Sequence, residues 1–226
     1  MITSPANPRL RLVRRLASRR QREREGLFVV EGEDIVDAAA AAAIEPVDLL
    51  VAGETVAPEL LAEVSTLAHP PRVLGIYRRA DLPQGVRPRC VALWHVHDPG
   101  NVGTLIRTAD AFDGSVALSR GSGDPTGPKA LRASMGAIFR VPTSTFEDAP
   151  RPRVALVARG GTPLPELDLG MTVTFVLGPE REPIPDDVLR ECDAQATIPQ
   201  AEHADSLNVA AAGAIALYES TRRMRA

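Results

Sequence analysis

Asp98-Pro99-Gly100-Asn101-Val102-Gly103-Thr104-Leu105-Ile106-Arg107 lies between an apolar run at 91–96 and a helical pattern over 103–112. A strand runs into a glycine-rich turn, and the turn opens a helix. In open α/β sheets, ligands bind at such junctions, outside the carboxyl ends of the strands. Asn101 and Arg107 stand six residues apart, just under two helical turns. With Asn101 in the turn itself, an amide and a guanidinium would converge on one mouth.

The same alternation continues on both sides. The pattern predicts strands at 91–96, 115–118, 154–157, 173–177 and 196–198, with helices at 103–112, 128–137, 185–192 and 207–222. Strand–helix alternation implies a mostly parallel sheet covered on both faces. Upstream, strands at 27–30, 47–51 and 73–76 with helices at 35–43 and 58–67 form a small α/β unit over 26–80. Tyr77-Arg78-Arg79 sets an aromatic beside two cations. Residues 81–88 carry Pro83, Gly85 and Pro88 and read as a linker to the large unit, 89–226.

Residues 1–25 contain a basic helix. Leu10, Leu12, Val13, Leu16 and Ala17 recur at helical spacing, which turns the arginines outward, and Gly26 stops the helix. Arg9, Arg11, Arg14, Arg15, Arg19, Arg20, Arg22 and Arg24 face a single acid, Glu23, within 9–24. The whole chain carries a net charge of −3, so a basic stripe sits on an acidic body. That distribution is a phosphate-binding footprint; a solvated arginine-rich face is the plainer alternative.

The composition narrows the class. At 44% hydrophobic, the chain can build real cores. No run reaches the roughly 18 apolar residues of a membrane span, and no signal-peptide order is present. The expected location is the cytoplasm, without a membrane partner. Cys90 and Cys192 have no C-x-x-C spacing, so a zinc ribbon is excluded and each reads as a small, reduced core residue. Neither a G-x-G-x-x-G fingerprint nor a G-x-x-x-x-G-K-[ST] loop is present. Gly121-Ser122-Gly123-Asp124 reads as a flexible polar loop. His95-Val96-His97 on a strand would put two imidazoles on one face, and zinc binds histidine. His69 and His203 lie outside ligand spacing, so the reading is a hydrogen-bonded histidine pair and no metal. Ser206 has no histidine–acid partner for nucleophilic catalysis; as a natural helix N-cap it has a structural explanation.

Two further turns repeat the pattern of the first. Phe175-Val176-Leu177 leads into Gly178-Pro179-Glu180-Arg181, and Ile198-Pro199 precedes Ser206-Leu207-Asn208. Three such turns at one sheet edge would make a ligand crevice. Asn101-x-Gly103-x-x-x-Arg107, Leu177-Gly178-x-Glu180 and Ile198-Pro199 with Ser206-Leu207-Asn208 resemble, in order and spacing, the three motifs of the SpoU (TrmH-like) RNA ribose 2′-O-methyltransferases of the SPOUT class. Arg132-Ala133-Ser134-Met135-Gly136-Ala137 is similar to that family's middle helix. Val30-Glu31-Gly32 resembles the mark of a small RNA substrate-binding domain fused ahead of it.

The resemblance implies a trefoil-knotted α/β SPOUT methyltransferase domain after a small α/β RNA-binding domain, and a homodimer packed through the catalytic domain. It implies S-adenosyl-L-methionine bound bent within the knot, lined by Ala158, Gly178, Ile198 and Leu207. Asn101, Arg107, Glu180, Ser206 and Asn208 would form the reaction site. RNA is the implied partner, ribosomal favoured over transfer RNA, with Arg9, Arg11, Arg14, Arg15, Arg19 and Arg20 on its phosphates. A ribose 2′-hydroxyl attacks poorly until its proton leaves, so a base is useful. Arg107 is the family's candidate, yet arginine stays protonated; orienting the hydroxyl and the adjacent phosphate suits it better. Asn101 would hold Arg107 or the ribose, Ser206 and Asn208 would shape the pocket floor, and Glu180 would pair with a cation. One departure stands out. Glu182-Pro183 occupy the place of a family glycine, and Pro183 fixes φ and lacks an N–H. A catalytically idle RNA-binding protein on the same fold is therefore the alternative.

Overall fold

The chain opens with two short helices where the apolar periodicity suggested one. The computed structural model describes residues 1–180 and 182–224. Helix α1 spans Pro8–Leu16 and α2 spans Arg19–Glu25. Between them Ser18 is extended, with φ −86° and ψ 131°. Gly26, at φ 65°, ends α2 in the left-handed region, as a helix-stopping glycine does. The break also corrects the expected outward turn of the arginines, because α2 buries Arg22.

Three strands follow: β1 (Leu27–Glu31), β2 (Asp48–Val51) and β3 (Val73–Arg78), with α3 (Glu33–Ala41) and α4 (Pro58–Val64) between them. They pair antiparallel in the order β1-β3-β2. Alternation decides what each face meets. Leu10, Val13 and Leu16 of α1 join Leu50, Leu60, Leu61, Leu74 and Ile76 in one cluster. The other face presents Phe28, Val30 and Tyr77 to the core of the large unit. Phe28, Tyr77 and Phe139 form an aromatic triangle with centroids 5.3 to 6.2 Å apart. Tyr77 is therefore core rather than an exposed partner for cations, and burial pushes its hydroxyl up to about 12.

The large unit contains β4 (Arg89–Leu93), α5 (Pro99–Ala111), β5 (Ser115–Leu118), α6 (Pro128–Ser134), β6 (Thr143–Thr145), β7 (Arg153–Leu156) and β8 (Thr162–Pro163). It continues with β9 (Val173–Leu177), α7 (Asp186–Arg190), β10 (Ala194–Thr197) and α8 (Val209–Met224). All seven strands are parallel, in the order β6-β5-β4-β9-β7-β10-β8. The middle of the sheet is nearly continuous apolar sequence, as two covered faces require; all of β9 is buried. The edge strands β6 and β8 escape the sequence pattern because they are short, β6 being mostly half-buried and β8 exposed. Strand β10 inserts between β7 and β8, which are consecutive in the chain, and Val157 N donates back to Ala196 O at 2.9 Å. Residues 81–88 are more than a tether. Gly85 N donates to Thr143 O at 3.0 Å and Thr143 N to Pro83 O at 3.1 Å, so the segment lies along the β6 edge.

Two boundaries beside the site differ from the pattern. β4 ends at Leu93, and α5 begins at Pro99 rather than Gly103. Asp98 is the cap: its Oδ1 accepts from Gly100 N at 2.6 Å, and Pro99 suits the first helical position. The Lys129 ammonium, then the Gly100 amide, hold the Asp98 carboxyl below the usual range. Asn101 thus sits inside the first turn of α5, not in a loop. Gly103 is a packing residue. A Cβ there would lie 2.2 Å from Ala130 O, so only glycine lets α5 and α6 meet this closely.

Candidate active site at the strand ends

Strands β4, β9, β7 and β10 are neighbours, and their carboxyl ends share one edge of the sheet. A cavity of about 510 Å³ opens there. Leu156, Val157 and Ala158 come from the end of β7, and Leu177, Gly178, Pro179 and Glu180 from that of β9. Ile198, Gln200, Ser206, Leu207 and Asn208 come from the segment between β10 and α8. Ala158, Gly178, Ile198 and Leu207, expected around a cofactor, all line it. So do Glu180, Ser206 and Asn208. The space at Gly178 is taken by Ile184, whose Cγ1 would stand 2.5 Å from an added Cβ.

A hydrogen-bond chain runs across the mouth. Asn101 Nδ2 donates to Glu180 Oε1 at 2.9 Å, and Asn208 Nδ2 donates to Asn101 Oδ1 at 3.2 Å. Asn208 Oδ1 accepts from Ala210 N at 2.9 Å and Ala211 N at 3.2 Å. Asn208 is therefore the cap of α8, and Ser206, two residues earlier, is not. Glu180 takes a neutral amide where a cation was expected; among the described residues it forms no ion pair, and Arg181 lies outside them.

Arg107 departs from its expected place. It is exposed, does not line the cavity and is not held by Asn101. The helix explains this, since six residues at 3.6 per turn leave two side chains about 120° apart around the axis. No described residue forms a hydrogen bond or ion pair with its guanidinium.

The histidine reading also changes. His95 has a φ of 52° and is not in a strand, so alternation does not apply. Its ring stacks on Trp94 at 4.8 Å and 6°, while His97 Nδ1 meets Gly121 O at 3.0 Å. The two imidazoles do not bond to each other. Among the described residues no cluster of three or more His, Cys, Asp or Glu side chains could hold a metal ion. No helix among them is long and apolar enough to cross a membrane.

The loop at 121–124 is not a flexible surface loop. Ser122, Gly123 and Asp124 are buried. Asp124 accepts from Arg22 Nε at 2.9 Å, from Arg79 Nη1 at 3.3 Å and from Thr126 N at 2.9 Å. Arg22 Nη1 donates to Leu16 O and Ala17 O at 2.8 Å. Burial would raise the Asp124 carboxyl, but hydrogen bonds from Thr126 and the Arg22 cation outweigh it and hold the group low. Glu31 makes a second tie. It accepts from Ser65 Oγ at 2.6 Å and Thr66 Oγ1 at 2.7 Å, and Arg132 of α6 reaches Thr66 Oγ1 at 3.0 Å.

The basic stripe is unevenly engaged. Arg9 pairs with Asp48, Arg14 with Glu63 at 3.4 Å, Arg15 with Glu25 at 3.8 Å and Arg19 with Glu23 at 2.8 Å. Arg11 and Arg20 are exposed, and no described residue engages them. Partly exposed pairs of this kind contribute little stability, so phosphate can compete for these guanidiniums.

Sequence reasoning missed part of the cavity wall. Ile184 and Leu189 close one side beside the Glu182–Pro183 departure that the sequence did mark, and Val209 and Ala212 of α8 close another. The α7 apolar pattern could have found Ile184 and Leu189. Gln200 carried no motif signal, yet its Oε1 is a buried side-chain oxygen without a hydrogen-bond partner among the described residues.

Comparisons with known proteins agree with this geometry. Residues 88–218 match the model of the SpoU rRNA Methylase family, and residues 7–86 that of the MRM3-like substrate binding domain. The chain is 27% identical to the 23S rRNA (guanosine(2553)-2′-O)-methyltransferase RlmP of Bacillus subtilis, over 96% of this chain and 97% of that one. It is 28% identical to an uncharacterized tRNA/rRNA methyltransferase of Synechocystis, over 98% and 93%. The crystal structure of an AdoMet-bound rRNA methyltransferase from Sinorhizobium meliloti superposes with a TM-score of 0.87 at 30% identity, covering 99% of this chain and 97% of that one. The chain belongs to the SpoU rRNA methylase family, with an MRM3-like substrate-binding domain ahead of its methylase domain.

Proposed function

We propose that this protein transfers a methyl group from S-adenosyl-L-methionine to a ribose 2′-hydroxyl of ribosomal RNA. The observation that carries the reading is the Glu180–Asn101–Asn208 chain at a mostly apolar cavity. The cavity suits the cofactor: the strand-end residues Leu156, Leu177 and Ile198 give a nucleoside an apolar surface. Ala158, Gly178, Ile198 and Leu207 would hold it. The cofactor supplies an activated methyl group on a sulfonium, and the residues around it position the acceptor. Asn101 fixes the wall against Glu180 and α8. Ser206 and Asn208 shape the floor. Arg107 orients the hydroxyl and its neighbouring phosphate, and the proton leaves toward that phosphate or solvent.

Residues 1–25 and 26–80 act together as the RNA-capturing unit, because α1 packs on the small sheet. Segment 81–88 joins them to the methyl-transfer unit at 89–226. Arg9, Arg11, Arg14, Arg15, Arg19 and Arg20 would contact phosphates, which position the RNA without reading its sequence. A homodimer through the catalytic domain has support in α8, where Ile215 and Tyr218 are 40% and 56% exposed. Its partner copy would bring chain to the exposed Arg107. The insertion of β10 between β7 and β8 supports a trefoil knot, and the cytoplasm is the compartment that holds the substrate. RlmP, named for 23S rRNA, supports ribosomal over transfer RNA.

Mapping ribose 2′-O-methyl sites in total RNA, with and without this protein, tests the reading. Loss of a ribosomal site on deletion, restored by purified protein and cofactor, is the expected result. An unchanged ribosomal map with a lost transfer RNA site would shift the substrate, and no change at all would sink the enzyme.

A further inference from the structure

Successive side chains of extended backbone point to opposite faces. His95 breaks that rule. At φ 52° its backbone is left-handed, and its ring lies on that of its neighbour Trp94, 4.8 Å away and 6° from parallel. Phe146 meets Trp94 edge-on at 5.0 Å. The three rings form a row that starts at a buried Phe146 and ends at a half-buried imidazole. Beside that imidazole stands Gly121, exposed and without a side chain; a Cβ there would lie 3.5 Å from His95 Nε2. No described residue forms a hydrogen bond with the imidazole of His95 or with the guanidinium of the exposed Arg120.

The place of this aromatic ledge indicates its ligand. On one side Trp94 N donates to Leu177 O at 2.8 Å, and Leu177 lines the cavity. On the other, His95 N donates to Ser119 Oγ at 2.9 Å, and Arg19 of the basic stripe donates to Ser122 O at 3.0 Å. The ledge thus lies between the basic stripe and the methyl-transfer mouth, with cations beside it. Proteins read RNA largely through unpaired bases stacked on aromatic side chains, histidine included. We infer that His95, backed by Trp94, stacks an unpaired base of the substrate RNA, with Arg120 on the adjoining phosphate. The inference rests on the methyl-transfer reading above for the ribose next to that base. Phosphate contacts alone would accept any RNA helix; the ledge adds a demand for a single-stranded nucleotide at the mouth.

Trp94 is the only tryptophan of the chain, so its emission reports on the ledge directly. The full chain is titrated with an oligoadenylate of about 12 nucleotides, within the span of a single-strand site, and with the same ribose–phosphate strand lacking its bases. His95→Asn tolerates left-handed backbone but has no ring. It is expected to bind oligoadenylate about tenfold more weakly and the abasic strand within about twofold of wild type. His95→Tyr keeps a ring and is expected to stay within about threefold on both strands. Arg120→Ala is expected to weaken both strands alike and to lower the slope of log affinity against log salt by about 0.7; an unchanged slope overturns the phosphate half of the inference. Oligoadenylate affinity that is equal in wild type and His95→Asn overturns the stacking half and leaves the enzyme reading, judged by ribose mapping, standing. Base-dependent binding by a protein that methylates no RNA keeps the ledge and sinks the enzyme. If His95→Asn fails to fold, wild-type emission decides. Quenching of Trp94 by oligoadenylate and not by the abasic strand supports the ledge, and an equal response to both overturns it.

Discussion

Two polar clusters stand beyond strand ends of the same sheet and differ in how they end. Around Asp124 every partner is supplied from within: Arg22, Arg79 and Thr126 surround a carboxylate whose side chain is 6% exposed. Around Asn101 the chain of bonds runs from Glu180 to Asn208 and borders a cavity. A closed polar network rigidifies a joint, here between the small unit and the methylase unit. An open one is a surface prepared for something else. Arginine shows the contrast by itself. Arg22 is 5% exposed with its donors engaged, whereas Arg107 is exposed and unengaged by any described residue.

If that distinction is right, mutations in the two clusters should fail in different ways. Asp124→Ala leaves the buried Arg22 without its counter-charge, which costs about 3–5 kcal/mol in comparable sites. Urea unfolding should show that loss, and a change below about 1 kcal/mol would mean the joint is held by its aromatic triangle instead. Arg107→Ala should do the reverse. Methyl transfer should fall about 100-fold or more, as expected when a positioning group is lost, while stability stays within about 0.5 kcal/mol and S-adenosylhomocysteine still binds. A fully active Arg107→Ala protein would remove Arg107 from the reaction site.

The same contrast explains what could be read from the chain. Strands such as 173–177 and 115–118 declare themselves through mostly apolar sequence, and their structural bounds are the expected ones. The motif residues Gly178, Ile198 and Leu207 were legible by position, and all line the cavity. What escaped depends on tertiary partners. Gly121-Ser122-Gly123-Asp124 has a loop's composition, and only Arg22 and Arg79, distant in sequence, make it a buried joint. Asp98 moved the start of α5 forward because a cap five residues before the expected helix start is invisible to periodicity. Arg107 and Asn101 were read as convergent on the premise that Asn101 lies in the turn, and its place inside α5 removes that premise.

Acid should expose the closed cluster more gently than truncation does. The folded Asp124 carboxyl is held below its unfolded value. Its contribution is therefore complete above the unfolded value, about 3.9, and is lost as pH falls through the folded one. Asp98 and Asp193 are also held low, so the useful quantity is a difference. Stability of wild type minus that of Asp124→Asn should shrink as pH is lowered from about 5 toward 2. A difference that stays constant over that window would mean that charge is not what Asp124 contributes.

The smallest effect should come from the basic stripe, and it divides the stripe by engagement. Arg11 and Arg20 need break no protein contact to meet a phosphate, whereas Arg9 must leave Asp48 and the Leu49 carbonyl, to which it donates at 3.0 Å. Each phosphate contact releases counterions, so removing one should lower the slope of log affinity against log salt by about 0.7 to 0.9. Arg11→Ala and Arg20→Ala should each show that change on ribosomal RNA, equally for any RNA sequence, with no loss of fold. Arg9→Ala should show the same slope change and cost the small unit no more than about 1 kcal/mol, since its pair with Asp48 is partly exposed. Slopes unchanged in both Arg11→Ala and Arg20→Ala would make the stripe a solvated face, and RNA capture would pass to another surface of the small unit.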